Sequence, residues 1–198
     1  MKKTYALTAL SILSSVALHA QENNTTINGY KPNNIQFNIL SATDHGVGGG
    51  ITYDRILDKN GNVELTLPVS IISDAYENNS YEYNNNKARV YFMPGIKFYP
   101  SGVKRNSFAL GPSLVYSYYK GNDNGYYSNR GEYTNQQLGI IMKAYYQMNI
   151  TPMFNFNVNG GLGILYMNDY KYKSNAAYNF SEGISALANI NIGFGIRF

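Results

Sequence analysis

The segment 184–198 alternates apolar side chains with polar or small ones over fifteen residues without a break. One face of this segment, when extended, carries Ile184, Ala186, Ala188, Ile190, Ile192, Phe194, Ile196 and Phe198. The other face carries Ser185, Leu187, Asn189, Asn191, Gly193, Gly195 and Arg197. Side chains alternate between the two faces of a strand, and strands of soluble proteins usually end after ~5–6 residues. This length and pattern are typical of a tilted strand that crosses a bilayer, with lipid on one side and a polar lumen on the other.

The first residues, 1–20, have the composition of a secretory signal peptide. Lys2 and Lys3 precede a mostly apolar stretch, and the small residue Ala20 ends it before a polar run. We therefore predict export and cleavage after Ala20. Residues 21–33 form a polar leader, which we expect to trail in the periplasm. The chain has no Cys, so neither a lipid-modified cysteine nor a disulfide can hold it.

Eight alternating stretches follow the leader, at 34–42, 48–57, 62–73, 87–99, 106–119, 135–148, 153–167 and 182–198. Three connectors are tight (58–61, 100–105 and 149–152), whereas those at 74–86, 120–134 and 168–181 are longer and rich in Asn, Tyr, Gly and Ser. The connector 43–47 is short but lies on the side of the long ones. Outer-membrane barrels separate short turns from longer loops in this way. We predict that residues 34–198 form an all-β, eight-stranded antiparallel up-and-down transmembrane β-barrel in the bacterial outer membrane.

Prolines and tyrosines refine this prediction. Pro68, Pro94 and Pro112 fall inside predicted strands, where each removes a ladder donor, so we expect bulges or local gaps.

The chain has 20 Tyr, 9 Phe and no Trp. Tyr suits the bilayer interface because its apolar ring can lie against lipid while its hydroxyl contacts water. We expect an aromatic girdle near the strand ends, formed by Tyr99, Tyr116, Tyr118, Tyr146, Tyr166 and Phe198.

Ionisable side chains on the predicted inner face suggest how the lumen is filled. Four of them lie a few residues from the periplasmic end, namely Asp54, Glu64, Lys97 and Arg197. Lys143 and Arg89 point inward at other heights. Buried charge is costly unless paired, and an eight-stranded barrel is only wide enough for its own side chains, so we predict a salt-bridged layer that plugs the lumen. The alternative is a hydrated conduit lined by mixed charge.

The chain's end carries a recognisable motif. The spacing of Ile190, Ile192, Phe194, Ile196 and Phe198 resembles the carboxy-terminal assembly signature of bacterial outer-membrane proteins. With the signal peptide and the strand pattern, the chain resembles small outer-membrane barrels of the OmpA/OmpX type, and in its Asn/Tyr-rich style the porin-family outer membrane β-barrel proteins of Bacteroidetes. This resemblance implies a Gram-negative cell envelope, with outer-membrane lipid and the barrel assembly machinery as partners.

The chain has few residues of the types that form catalytic or metal-binding sites. Beyond the signal peptide the chain has a single His, His45, and no Cys, so we expect no catalytic site, metal site or cofactor. One alternative is a lipid A-modifying enzyme that uses His45 and Asp44 with Ser73 and Asp74 at the outer rim. The formal net charge of +4 falls to +2 once Lys2 and Lys3 are removed, which does not favour nucleic acid as a partner.

The leading functional prediction is a non-enzymatic outer-membrane barrel with a plugged polar lumen and an envelope or surface-interaction role. Its Tyr/Asn-rich outer loops offer contact area for extracellular ligands. A narrow channel for small solutes is the second hypothesis, and the lipid A-modifying enzyme is the third. A soluble, secreted β-protein is the remaining alternative.

Overall fold

The computed structural model of the chain describes residues 26–74, 88–125, 128–173 and 176–198. The strand segments are β1 (Asn33–Thr43), β2 (Gly46–Ile56), β3 (Val63–Asp74), β4 (Ala88–Phe92), β5 (Gly95–Phe98), β6 (Asn106–Gly125), β7 (Ser128–Asn149), β8 (Phe154–Tyr172), β9 (Phe180–Glu182) and β10 (Ser185–Arg197). A short 3-10 helix spans Ala176–Tyr178. No helix within the described residues has the length and apolarity needed to cross a membrane.

The strand segments close into a barrel of eight antiparallel strands. β4 and β5 form one barrel strand, because both keep the same register against β3, with Val69 opposite Phe92 and Thr66 opposite Gly95. β9 and β10 likewise share one register against β8. The last strand pairs with both β8 and β1, so the sheet has no free edge at that seam. The predicted fold class, an eight-stranded antiparallel β-barrel, is confirmed.

The strands are strongly staggered around the barrel. Residues that lie directly opposite each other can be followed from Arg197 through every strand, by way of Asn34, Asp54, Thr66, Gly95, Ser113, Ile141 and Gly163. The path returns to the last strand at Leu187, ten residues before its start. Such a stagger requires the strands to tilt relative to the barrel axis.

The barrel is polar inside and apolar outside. Among the described residues, buried polar or charged side chains outnumber buried apolar ones by 26 to 13. Large apolar side chains instead cover the outer wall, among them Phe37, Ile51, Ile71, Phe108, Leu114, Ile140, Met142, Phe154, Leu162, Ile164, Ile190 and Phe194. This is the reverse of a water-soluble domain, whose apolar side chains fill the core.

The strands of one half of the barrel are longer than the sequence pattern indicates. Of the segments expected as loops, residues 120–125 and 128–134 lie in β6 and β7, and half of 168–181 lies in β8 and β9. The expectation was wrong because Tyr, Asn and Gly were taken as loop residues, whereas here they continue the ladder between β6 and β7 up to the pair Gly125 and Ser128. The connector 74–86 lies almost entirely outside the described residues.

Proline interrupts the hydrogen bonding of the barrel without shifting its register. Pro94 lies in the gap between β4 and β5, yet Leu114 donates its backbone N–H to the Pro94 carbonyl at 2.8 Å. Met93 similarly donates to the Pro68 carbonyl at 3.1 Å. Each proline lacks a backbone N–H and so removes one hydrogen-bond donor from the sheet, but the register between neighbouring strands is the same on both sides of it. The expected gap is therefore present at Pro94, and a bulge is not.

The two ends of the barrel differ. We call the end with the tight connectors 58–61, 100–105 and 149–152 the turn end, and the other the hairpin end. The predicted signal peptide, 1–20, and residues 21–25 lie outside the described residues. The remainder of the leader does not trail away from the barrel as expected: Asn28 donates to the backbone oxygens of Asn60 (3.1 Å) and Val103 (3.4 Å) at the turn end.

Candidate functional site: the barrel lumen

The structure brings together the four ionisable residues that the sequence places near the turn end. Lys97 Nζ lies 2.8 Å from both Asp54 Oδ1 and Glu64 Oε1. Arg197 Nη2 lies 3.1 Å from Glu64 Oε2. Glu64 and Lys97 are direct cross-strand partners on β3 and β5, whereas Arg197 reaches across from the last strand. We call this group (Asp54, Glu64, Lys97 and Arg197) the charge layer.

Neutral side chains add hydrogen bonds to the charge layer, although the buried Arg197 Nε has no hydrogen-bond partner among the described residues. Asn34 donates to Asp54 Oδ2 at 3.3 Å, and Gln36 donates to the same oxygen. The Tyr99 hydroxyl donates to Glu64 Oε1 at 3.2 Å. All four charged side chains are at most 3% exposed. A buried ion pair offsets its desolvation only when its remaining donors and acceptors are satisfied, and loss of one partner is then strongly destabilising.

An apolar layer crosses the lumen nearer the hairpin end. It consists of Ile72, Tyr91, Met93, Val115, Ile141, Leu165 and Leu187. All seven are at most 3% exposed, and they come from every barrel strand except β1 and β2. Sequence reasoning missed this layer because it assigned a polar character to the inner face. The available signal was local: Ile71-Ile72, Ile140-Ile141 and Ile164-Leu165 are apolar on both faces of a strand.

A second apolar cluster seals the turn end. Ile56, Tyr99, Val103, Ala109 and Tyr145 are buried together, and Ile27 and Tyr30 of the leader pack against them. Ile27 and Tyr30 exchange two backbone hydrogen bonds of 2.8 and 2.9 Å, which fold the leader into a tight turn. Arg197 also donates to the Lys31 carbonyl at 3.2 Å, so the charge layer holds the leader in place. Tyr99, expected in an outer aromatic girdle, is thus inside the barrel.

The other expected girdle residues face outward. Tyr116, Tyr146, Tyr166 and Phe198 are between 40% and 56% exposed, and Tyr118 is half-buried. In the terminal motif, Ile190, Phe194, Ile196 and Phe198 are exposed on the outer wall and Ile192 is half-buried. Phe194 packs against Phe156 of β8, with ring centroids 5.3 Å apart. The motif therefore forms part of the apolar outer surface at the seam of the barrel.

The two remaining inward cations lie on either side of the apolar layer. Arg89 donates to Asn135 Oδ1 at 2.5 Å and lies over the Tyr119 ring, 4.8 Å from its centroid, toward the hairpin end. Lys143 lies between the apolar layer and the charge layer. Its Nζ is 3.3 Å from Met93 Sδ. Both side chains are at most 3% exposed.

Of the hypothetical Ser-His-Asp arrangement, the structure brings His45 to Asp44 but not to Ser73. His45 Nδ1 lies 3.2 Å from Asp44 Oδ1 and 3.0 Å from the Tyr91 hydroxyl, above the apolar layer. Ser73 is exposed on the outer wall, the opposite face of β3 from the buried Ile72. No hydrogen bond joins His45 to Ser73, both of which are described. Within the described ranges, no group of three His, Cys, Asp or Glu residues is placed to hold a metal ion.

The hairpin end carries a cluster of aromatic rings. Tyr133 packs against Tyr119, Tyr170 and Tyr172 with centroid distances of 6.0, 5.8 and 5.4 Å. Tyr170 stacks on Phe180 at 4.5 Å. A groove of about 200 Å³ beside Tyr133 is lined by Lys120, Gly121, Asn122, Glu132, Thr134 and Lys173. Glu132 and Lys173 form an exposed ion pair at its edge.

The structure is similar to solved structures of outer-membrane proteins. No protein-family model matches the chain, and no curated protein matches its sequence. A major outer membrane protein from Thermus thermophilus is similar in structure, with a TM-score of 0.59, 10% identity, and coverage of 85% of this chain and 99% of that one. Neisserial surface protein A is also similar, with a TM-score of 0.51, 7% identity, and coverage of 86% and 97%. The chain therefore shares the closed antiparallel barrel fold of these two outer-membrane proteins.

Proposed function

We propose that this protein is an integral barrel of the bacterial outer membrane whose lumen is closed and whose role is non-enzymatic. The observation that carries the proposal is the inverted burial: large apolar side chains cover the outer wall while ion pairs and amides fill the interior. In water such a wall is costly, whereas lipid solvates it and a closed sheet pairs its first and last strands with each other. The fold shared with two outer-membrane proteins supports the same location.

The closed lumen rests on three successive layers of side chains. From the turn end these are the apolar seal with the leader, the charge layer, and the apolar layer. This stack supports the plugged form over the conduit, since ions would have to displace apolar side chains at two levels. It also leaves an envelope or surface role as the best-supported function. The separation of Ser73 from His45 argues against the lipid A-modifying alternative.

The proposed orientation places the turn end in the periplasm and the hairpin end outside the cell. The outer-membrane lipid then surrounds the apolar wall, and we propose that the barrel assembly machinery reads the terminal motif of Ile190, Ile192, Phe194, Ile196 and Phe198. A Gram-negative host and removal of residues 1–20 by signal cleavage belong to the same proposal. The tyrosine cluster around Tyr133 and its groove would face the surroundings, which supports contact with extracellular ligands.

Cysteine labelling in intact cells tests location and orientation. The chain has no native Cys, so single-cysteine variants give no background signal. We expect a membrane-impermeant maleimide to label Lys120→Cys at the hairpin end in whole cells. Lys59→Cys, at the turn end, should be labelled only after the envelope is broken. Labelling of Lys59→Cys alone in intact cells would reverse the orientation, and recovery of both in the soluble fraction would overturn the membrane assignment.

Surface contact has its own test. Solubilised wild-type protein is applied to arrays of glycans and extracellular-matrix proteins beside Tyr133→Ala and Tyr116→Ala. Tyr116 lies on the outer wall, away from the groove, and serves as the matched control. Loss of a wild-type signal in Tyr133→Ala alone would support a binding role for the tyrosine cluster. No wild-type binding, or equal loss in both variants, would leave structural support of the envelope as the favoured role.

A further inference from the structure

A row of three outward side chains crosses neighbouring strands near the hairpin end. Lys120 on β6 lies directly opposite Thr134 on β7, and Thr134 lies directly opposite Lys171 on β8. Both lysines are exposed and the threonine is half-buried. Neighbouring strands are ~4.8 Å apart, so the backbones of the two lysines are separated by roughly 10 Å with only a small side chain between them. We call Lys120, Thr134 and Lys171 the lysine row.

The lysine row lies just beyond the apolar belt of the outer wall. Every outward side chain of β6 from Phe108 to Tyr118 is apolar or aromatic, and Lys120 is the next one along the strand. A strand of this length, at ~3.4 Å per residue and a tilt of about 40°, covers about 26 Å along the barrel axis. The apolar band of outer-membrane barrels is about 25 Å tall. Lys120 therefore lies at the level where the headgroups of the surrounding lipid begin.

Neither cation of the lysine row is neutralised by a side chain that the structure describes. Glu132, the nearest carboxylate on β7, forms its ion pair with Lys173. Lys120 and Lys171 form no ion pair with a described side chain. An exposed ammonium without a carboxylate partner is available to an external anion.

The carboxylate of Asp169 lies one outward position from the lysine row, on the side of the apolar belt. It accepts a hydrogen bond from Ser181 Oγ at 2.6 Å. The outward side chains of the three strands around the row then comprise three lysines (120, 171 and 173) and two carboxylates (132 and 169). This part of the wall keeps an excess of one positive charge, which favours an anionic ligand over a cationic one.

The groove of about 200 Å³ adjoins the lysine row. Lys120 and Thr134 form one side of it, and Asn122, Glu132 and Lys173 lie farther from the apolar belt. Thr134 Oγ1 donates to the Lys171 carbonyl at 3.5 Å, the long limit of a hydrogen bond, so this hydroxyl is only weakly engaged. The groove gives room for the polar group that carries a phosphate at the headgroup level.

We propose that the lysine row binds the phosphate group of a lipid headgroup in the leaflet that surrounds the hairpin end. The ammonium groups of Lys120 and Lys171 lie on either side of the phosphate, and the Thr134 hydroxyl donates to it from between them. Lysine binds phosphate as a point charge, and hydrogen bonds between ionised groups are the strong ones. The acyl chains then lie along the apolar belt. The inference rests on the proposed location in the outer membrane and names the lipid chemistry recognised there.

Native mass spectrometry of the folded barrel in a neutral detergent tests the site. The probes are diphosphoryl lipid A and the same lipid after removal of its phosphates by a phosphatase. We expect wild-type protein to retain the phosphorylated lipid and to release the dephosphorylated one. The Kd for the phosphorylated lipid should rise roughly tenfold in the double variant Lys120→Gln/Lys171→Gln, and it should rise with salt in the wild type.

The double variant Lys59→Gln/Lys104→Gln is the matched control. It removes the same charge from two exposed lysines at the turn end and should bind the phosphorylated lipid as the wild type does. Equal weakening in the two double variants would overturn the proposal, because net charge alone would then attract the lipid. Equal retention of the phosphorylated and dephosphorylated lipids by the wild type would also overturn it. Displacement of the lipid by an equal concentration of inorganic phosphate would make free phosphate the occupant and would likewise contradict a lipid site.

Insertion into phosphatidylcholine vesicles separates this inference from the proposed function. Wild-type protein that inserts and migrates apart from boiled protein, yet shows no preference for the phosphorylated lipid, would overturn the lysine-row site and leave the membrane assignment standing. Failure to insert into the vesicles would overturn both. Insertion together with the expected phosphate preference would support both.

Discussion

Arg197 and Glu64 meet across the lumen, with Arg197 Nη2 3.1 Å from Glu64 Oε2 although 133 residues separate them in the chain. The contact connects the last strand to the third and lies at the centre of the charge layer. Glu64 also accepts hydrogen bonds from Lys97 on β5 and from Tyr99, which directly follows β5. Its carboxylate therefore links β3, β5 and β10. The stability of the barrel should therefore depend on this side chain.

Glu64→Ala is expected to destabilise the barrel by about 3–5 kcal/mol, since it leaves the buried Arg197 without a carboxylate and Lys97 with Asp54 alone. Glu132→Ala is the matched control, because Glu132 is also ion-paired but 62% exposed at the hairpin end. Exposed pairs contribute only about 0–1 kcal/mol. Urea unfolding in lipid vesicles measures both. Equal losses in the two variants would show that the charge layer adds nothing beyond a surface pair.

Ile141→Ala should cost about 2–5 kcal/mol, because the side chain is 2% exposed within the apolar layer and its removal leaves a cavity. The neighbouring Ile140 points outward and is 49% exposed. Ile140→Ala should cost less than about 1 kcal/mol in lipid, since the surrounding chains fill the space. Unfolding of the two variants in the same vesicles compares the faces directly. A larger loss for Ile140→Ala would contradict the assigned faces of β7.

Gly111 is required by close strand packing. A Cβ at this position would lie 1.7 Å from the Ile96 carbonyl oxygen, so Gly111→Ala must displace the backbone. At Gly160 the nearest atom to a Cβ is 3.4 Å away, an ordinary contact. We expect Gly111→Ala to reduce the yield of the folded form that migrates apart from boiled protein on a gel, with Gly160→Ala close to wild type. Normal folding of Gly111→Ala would show that the wall is looser than this close approach implies.

We predict that Asp58, at the turn end, makes the stability of the barrel depend on pH in acid. Partial burial opposes its ionisation, but the backbone N–H groups of Val63 (2.7 Å) and Asn60 (3.2 Å) donate to its carboxylate, and the pKa of Asp58 is held below its usual value. A depressed carboxyl pKa contributes stability above the unfolded-state pKa, and that contribution is lost as the pH falls through the folded-state pKa. Asp58→Asn should therefore flatten the loss of stability in acid below about pH 4. An unchanged acid profile would contradict this role.

The fold was accessible from the sequence because alternation with a period of two is a local property. In β10 the outward Ile190 and inward Arg197 follow from counting alone, and the meeting of Asp54, Glu64, Lys97 and Arg197 follows from their shared distance to the turn end. Three features were less accessible. The first is the apolar layer. Ile72, Ile141 and Leu187 meet in the lumen only because the stagger of the barrel brings them to the same height, and the stagger cannot be read from any one strand.

The other two features also depend on tertiary contacts. Lengthening of β6 and β7 beyond residue 119 is stabilised by cross-strand rings such as Tyr119 and Tyr133, whose residue types are equally common in loops. Docking of the leader depends on Ile27 and Tyr30 finding an apolar cluster at the turn end. Neither residue belongs to an alternating pattern that would have indicated a partner.

Single-channel recording in planar lipid bilayers tests the closed lumen most directly. Wild-type protein, inserted in the folded form that migrates apart from boiled protein, should give no stable conductance step above the bare bilayer. Glu64→Ala, which breaks the charge layer, should raise the conductance or produce transient openings. Steady, uniform channels from the folded wild-type protein would contradict the plugged lumen and would favour a conduit for small solutes.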